Sequence, residues 1–209
     1  MENLPSTVSV PMTPAPGQES VFSGCDVFEF NQRVAKMLSS SDLAPPQFKG
    51  NLANTLIALE IANRLGASPL SVMQNLHIIH GRPSWSSQFI IACLNSCGKF
   101  SALRFEMSGK DDALECRAVA TDLATGERIE GPAVSIGMAK KEGWFQKSGS
   151  KWQTMPELML RYRSATFYGR LYAPDILMGM STSDELADIQ QATRQAAAKS
   201  INDLLKENS

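Results

Sequence analysis

The chain lacks any run of 18 apolar residues, and its first 20 residues have neither the basic start nor the apolar centre of an export signal. Nothing in the sequence exports or anchors it, and the expected location is the cytoplasm. Histidine is scarce. The only two, His77 and His80, are three apart on an expected strand, so they face opposite sides and make no metal pair. The four cysteines, Cys25, Cys93, Cys97 and Cys116, include no CxxC pair, which fits unpaired thiols in a reducing compartment. Cys93 and Cys97 fall on one face of a helix and read as buried thiols. Residues 143–151 imitate a phosphate loop, but Ser148 stands where its second glycine is required and no strand leads into it. ATP binding is therefore not expected. Asp111-Asp112 reads as a turn, and no converging set of carboxylates supports a two-metal nuclease. Neither an enzyme nor a cofactor nor a metal is expected. No repeat of solenoid period occurs.

What is present suffices for a core. A chain of 209 residues with 43% hydrophobic content buries one substantial core, with room for flexible ends. Residues 1–20 hold Pro5, Pro11, Pro14 and Pro16 with no Lys or Arg, and read as a disordered tail. Residues 21–182 read as the core, and residues 183–209 as a helical tail with a weak apolar stripe (Leu186, Ile189, Ala196, Ile201, Leu204). Within the core, Val27, Phe30, Val34, Met37 and Leu38 set a helix over 27–38. Leu52 to Asn63 sets a stronger helix closed by Gly66. A strand at 76–79, a turn at 80–83 and a helix capped by Ser86 or Ser87 follow. Three short antiparallel strands are expected over 100–107, 114–121 and 127–130, then a short helix over 134–141, a polar loop over 142–154 and a long helix from 155 to about 172, ended by Pro174. The fold class is α+β, a short antiparallel β-meander packed with helices.

The formal net charge is −1, which by itself argues against a nucleic-acid partner, yet the charge is unevenly placed. Between residues 140 and 170 stand Lys140, Lys141, Lys147, Lys151, Arg161, Arg163 and Arg170 against only Glu142 and Glu157, an excess of five. Trp144, Phe145, Trp152, Tyr162, Phe167 and Tyr168 are interleaved with them. Cations of this kind neutralise phosphates, and flat rings stack on exposed bases. A solvated charged loop beside an aromatic core has the same composition. Helical phase separates the cations: at 100° per residue Arg163 and Arg170 lie about 20° apart, on one edge of the helix. Arg161 lies nearly opposite, one turn after Glu157, where an ion pair explains it. Arginines buried along such a helix are costly unless an anion meets them. Trp144 and Trp152 are open to two readings, base stacking or packing.

The order and spacing of Trp152-Gln153, Pro156, Met159-Leu160-Arg161, Arg163 and Arg170-Leu171 resemble the RecT/Redβ superfamily of phage single-strand annealing proteins. Weaker matches are Pro69, residues 100–106, and Met138 with Lys140-Lys141-Glu142, so the similarity spans about residues 51–184. It implies a Rad52-like β-β-β-α core that assembles as a homo-oligomer, a ring or a helical filament. It also implies ATP-independent binding of single-stranded DNA and its annealing to a complementary strand, with the annealed duplex intermediate held by the protein, for recombination of phage or mobile-element DNA in a bacterial host. A companion 5'-3' exonuclease and a host single-strand-binding protein are the implied partners. Arg163 and Arg170 match DNA-contacting positions of the family, and with Lys140, Lys141, Lys147, Lys151, Trp152 and Arg161 from the basic stretch they make the expected DNA-binding set. One departure is plain: a basic doublet that follows the proline in the family is Glu157-Leu158 here. Three rival readings are a passive single-strand-coating protein, a DNA-end nuclease or nucleotide-dependent enzyme, and a structural oligomer whose basic groove docks an acidic partner.

Overall fold

The computed structural model describes residues 20–79, 81–146 and 149–186. The expected amino-terminal tail, apart from Ser20, and the expected carboxy-terminal helix beyond residue 186 lie outside them, as do His80 and Lys147. The chain divides into two compact units, Met1–Gln74 and Asn75–Ser209, a division that falls inside the stretch read from sequence as one core. The mixture of helices and small sheets is the α+β class expected.

In the first unit, α1 (Cys25–Ser40) packs on α2 (Leu52–Leu65), and α3 (Pro69–Asn75) begins close to its carboxy-terminal border. Asn51 caps α2 by accepting the Asn54 N–H at 3.0 Å. Gly66 ends the helix in the left-handed conformation that a glycine adopts without strain. The core gathers Val21, Ala35, Leu56 and Leu59, with Phe28, Val34 and Leu38 against it. The buried side of α1 is rotated from the expected stripe: Phe30 and Met37 face outward, 61% and 64% exposed. The small Ala35 lies on the side that meets α2, and the two larger residues, seven apart, share the opposite one. Glu60 anchors the chain entering α1, accepting from the Val21 N–H at 2.8 Å and the Ser20 hydroxyl at 3.0 Å while pairing with Arg64. Burial alone would raise its carboxyl, but these three donors hold it below its ordinary value of 4.5.

The second unit holds two sheets. β1 (Leu76–Ile79) and β2 (Arg82–Trp85) form a hairpin where only one strand and a turn were expected, and β2 pairs in parallel with β7 (Ser181–Thr182). The other sheet contains the expected meander: β3 (Arg104–Ser108), β4 (Glu115–Thr121) and β5 (Arg128–Glu130), all antiparallel. The short β6 (Val134–Ser135) also pairs with β4. Alternation turns Phe105, Met107, Cys116 and Ala118 inward, and Arg104, Glu106 and Arg117 outward. Between β3 and β4 the chain reverses through Gly109 and a 3-10 turn at Asp111–Ala113.

Helix α4 (Ser87–Ser96) starts where expected, its cap Ser86 accepting the Phe89 N–H at 3.1 Å. α5 (Ile136–Lys141) and α6 (Lys151–Thr154) precede α7 (Pro156–Tyr172), which ends before Pro174 as expected, and Pro174 then opens α8 (Pro174–Leu177). A proline suits a first helical turn because its missing N–H is not needed there. α7 is the centre of the unit and packs against β4, β6, α4, α6 and α8. No disulfide joins the four thiols. Cys25 is exposed, Cys116 is buried, and Cys93 and Cys97 are half-buried rather than wholly buried as expected. Burial, with Cys97 adjacent, pushes the Cys93 thiol up to about 11.

Two outcomes test these arrangements. Gly109 has φ +78°, and a Cβ there would overlap the Ala113 carbonyl oxygen and lie 2.7 Å from its carbon. Gly109→Ala should therefore destabilise the second unit by about 2 kcal/mol or more, seen as a lowered urea midpoint. Glu60, whose folded value is depressed, contributes stability that is complete above its ordinary value of 4.5 and lost as pH falls through the folded value. The stability gap between wild type and Glu60→Gln should shrink as pH falls from about 7 to about 3, measured by denaturant unfolding across that range.

Candidate nucleic-acid interface

The basic stretch is folded around Trp144. Ser135 caps α5 by accepting the Met138 N–H at 3.0 Å, and Ile136 and Ala139 bury its inner face. Lys140 and Lys141 are left in its last turn, where cations complement the exposed carbonyls. The chain then turns back through Gly143 (φ +74°), and the N–H groups of Trp144 and Phe145 both donate to the Ala139 carbonyl. The Ser150 hydroxyl donates to the Trp144 carbonyl at 2.7 Å, and the Gln153 amide donates to the Phe145 carbonyl at 2.7 Å. These bonds fasten the turn after α5 to α6. The Trp144 and Trp152 rings lie 5.5 Å apart, and the Arg163 guanidinium lies 4.0 Å from the Trp144 ring centroid, a cation–π contact that adds α7 to the cluster.

The cations occupy different situations. Lys140 pairs with Asp112 at 2.5 Å and lies 5.2 Å from the Phe145 ring. Lys141 and Lys151 are exposed, and neither forms an ion pair with a described residue. Arg161 pairs with Glu157 at 3.4 Å, the contact that its spacing suggested. Arg163 and Arg170 do share one edge of α7, and both meet the carboxylate of Glu185. Glu185 Oε1 is 3.3 Å from Arg163 Nη1, and Oε2 pairs with Arg170 Nη2. The side chain of Arg163 is 5% exposed, that of Glu185 6% and that of Arg170 41%. The anion that a buried arginine on this helix requires is thus supplied from within the chain.

Trp152, expected at the interface, is 2% exposed. It sits in the core with Val134, Ile136, Met159 and Leu160, and its Nε1 has no hydrogen-bond partner among the described residues. Buried there and in contact with the Trp144 ring, it offers no ring to a base. Trp144 and Phe145 are only partly buried. Lys147 lies outside the described residues.

Three participants escaped the sequence reading: Asp112, Glu185 and Trp144 as the partner of Arg163. Thr182-x-x-Glu185 carries the signature of a helix-capping box, which marks Glu185 as the third residue of a helix but not as the partner of two arginines. Counting Asp112 and Glu185, the local excess of five falls to three. The outer face of the β3–β4–β5 sheet gives no alternative stacking platform: Arg128 pairs there with Glu106 at 2.8 Å and Glu130 at 3.2 Å, and no aromatic residue faces out among them. Among the described residues no cluster of three or more metal-ligating side chains occurs, and no helix is long and apolar enough to cross a membrane. Comparison with protein-family models, with curated proteins and with solved structures returns no match.

The packing role of Trp152 sets an expected outcome. Trp152→Ala should lower the stability of the second unit by about 3–5 kcal/mol in denaturant unfolding. A stability change within about 0.5 kcal/mol, the range for a surface substitution, would return the residue to the solvent-facing role.

Proposed function

We propose that the chain binds single-stranded DNA through the cations of α5, α6 and α7 and anneals it to a complementary strand without ATP. The observation that carries this reading is the Trp144 hub, which holds together three consecutive elements bearing Lys140, Lys141, Lys151, Arg163 and Arg170. Exposed lysines on a fixed support hold the sugar-phosphate backbone and leave base edges available. Phosphate contacts carry no sequence information, so binding is sequence-tolerant and salt-sensitive, and pairing between the strands supplies the specificity. Annealing runs downhill and needs no fuel. Partly buried Phe145 is the nearest ring for stacking, since Trp144 is engaged by Arg163 and Trp152.

On the resemblance noted above, the working form is a ring or helical filament with a Rad52-like core, acting in the bacterial cytoplasm beside a 5'-3' exonuclease and a host single-strand-binding protein. Arg161, held by Glu157, contributes less than Lys141 and Lys151. A passive coating protein would slow hybridisation of two complementary oligonucleotides, whereas an annealing protein accelerates it. The double variant Lys141→Ala/Lys151→Ala should bind a labelled oligonucleotide about 10-fold more weakly and reduce the salt slope by about 1.4, the loss of two phosphate contacts. Its circular dichroism should be unchanged, because both side chains are exposed. Unaltered affinity and slope would remove these lysines from the interface; no binding by wild type at low salt would remove the function.

A further inference from the structure

We propose that Arg163 and Arg170 form a subsite for one phosphodiester of the bound strand, filled in the free protein by the chain's own Glu185. The identity of the ligand rests on the reading above; the subsite rests on geometry. One carboxylate engages two guanidiniums, Oε1 at 3.3 Å from Arg163 Nη1 and Oε2 on Arg170 Nη2. A phosphodiester offers the same single charge on two non-bridging oxygens, so replacing one by the other conserves both charge and acceptor number. Arg163 is sealed on one side by Trp144 and is preorganised, whereas the Arg170 side chain is 41% exposed, so the subsite opens to solvent there. An anion is required at all times, because a buried guanidinium without one is strongly disfavoured.

β7 pairs with β2 through only two residues, and the Ser87 hydroxyl donates to Asp184 at 3.1 Å. Glu185 Oε2 accepts the Thr182 N–H at 3.0 Å while the Glu185 N–H donates to the Thr182 hydroxyl at 3.2 Å, so the carboxylate is tied to its own helix start and moves with it. An isolated phosphate ion must displace this carboxylate unaided. A strand already held by Lys141 and Lys151 presents its next phosphate at high effective concentration. Glu185 thus makes the subsite select a polyanionic strand over small phosphates.

Glu185→Gln removes the charge and keeps the capping box, which accepts Gln at this position. Glu142→Gln, at an exposed acid of the same stretch, is the control for charge alone. Exchanging chloride for inorganic phosphate at equal ionic strength should raise the Tm of the Glu185→Gln protein by about 3 °C or more beyond the general salt effect seen in wild type and in Glu142→Gln. Oligonucleotide Kd should fall about 10-fold for Glu185→Gln and at most about 2-fold for Glu142→Gln. Absence of a phosphate-dependent gain in Glu185→Gln, or equal tightening of DNA binding by both variants, overturns the subsite while leaving strand binding intact. A phosphate gain with no oligonucleotide binding by any form keeps the anion subsite and removes the strand as its ligand. Should Glu185→Gln not fold, Glu185→Asp retains the charge on a shorter arm; it should show a smaller gain in the same direction, and no gain overturns the proposal.

Discussion

A guanidinium inside a packed helix cannot be left uncompensated, and the second unit is organised around that constraint at Arg163. Its side chain is 5% exposed on the central helix of the unit, packed between β4 and α4. The ring of Trp144 covers it at 4.0 Å and a carboxylate meets it at 3.3 Å. Each of these partners has its own supports. Trp144 is placed by the turn after α5, by Ser150 and by Trp152. Glu185 is placed by the capping box and, through Thr182, by the parallel strand pair. Satisfying one buried charge thereby fixes the turn that carries the lysines and the path of the chain after α8.

The remainder of α7 is ordinary close packing. Tyr168 meets the Phe100 ring edge-on at 5.5 Å, and burial pushes its hydroxyl up to about 12. At Gly169 a Cβ would come within 2.9 Å of Leu177 and 3.3 Å of Leu94, so α8 and α4 approach the helix where it has no side chain. Such a helix has little freedom to rotate. The shared edge of Arg163 and Arg170 is set by this packing and does not depend on the ions that occupy it.

Local signals in the sequence were legible because local physics decides them. Asn51 and Gly66 bound α2, Ser86 starts α4, and alternation around Gly109 and Asp122 marks the three-stranded meander. Within α7, seven-residue spacing placed Arg163 and Arg170 on one edge, and four-residue spacing paired Arg161 with Glu157. Illegible were features decided by distant residues. The orientation of α1 depends on α2, so Phe30 and Met37 face outward despite fitting an apolar stripe. β2 was hidden by Pro83 and by strand length, α6 by the polar composition of its loop, and Trp152 looked the same as Trp144 until packing buried one of them. No spacing rule links Arg163 to Glu185, twenty-two residues away and on another element.

The carboxylates on Lys140, Arg161, Arg163 and Arg170 also bear on how a chain of net charge −1 can hold a polyanion. An uncompensated row of seven cations would repel itself and resist folding. Internal partners remove that repulsion, but at different strengths. Exposed pairs such as Arg161 with Glu157 are worth little in water and give way readily to a phosphate. The buried pair at Arg163 gives way only to a ligand that replaces its charge in full. On the proposed function, binding at this surface is an exchange of anions in which the exposed cations engage first. The buried arginine, the most demanding in geometry, comes last.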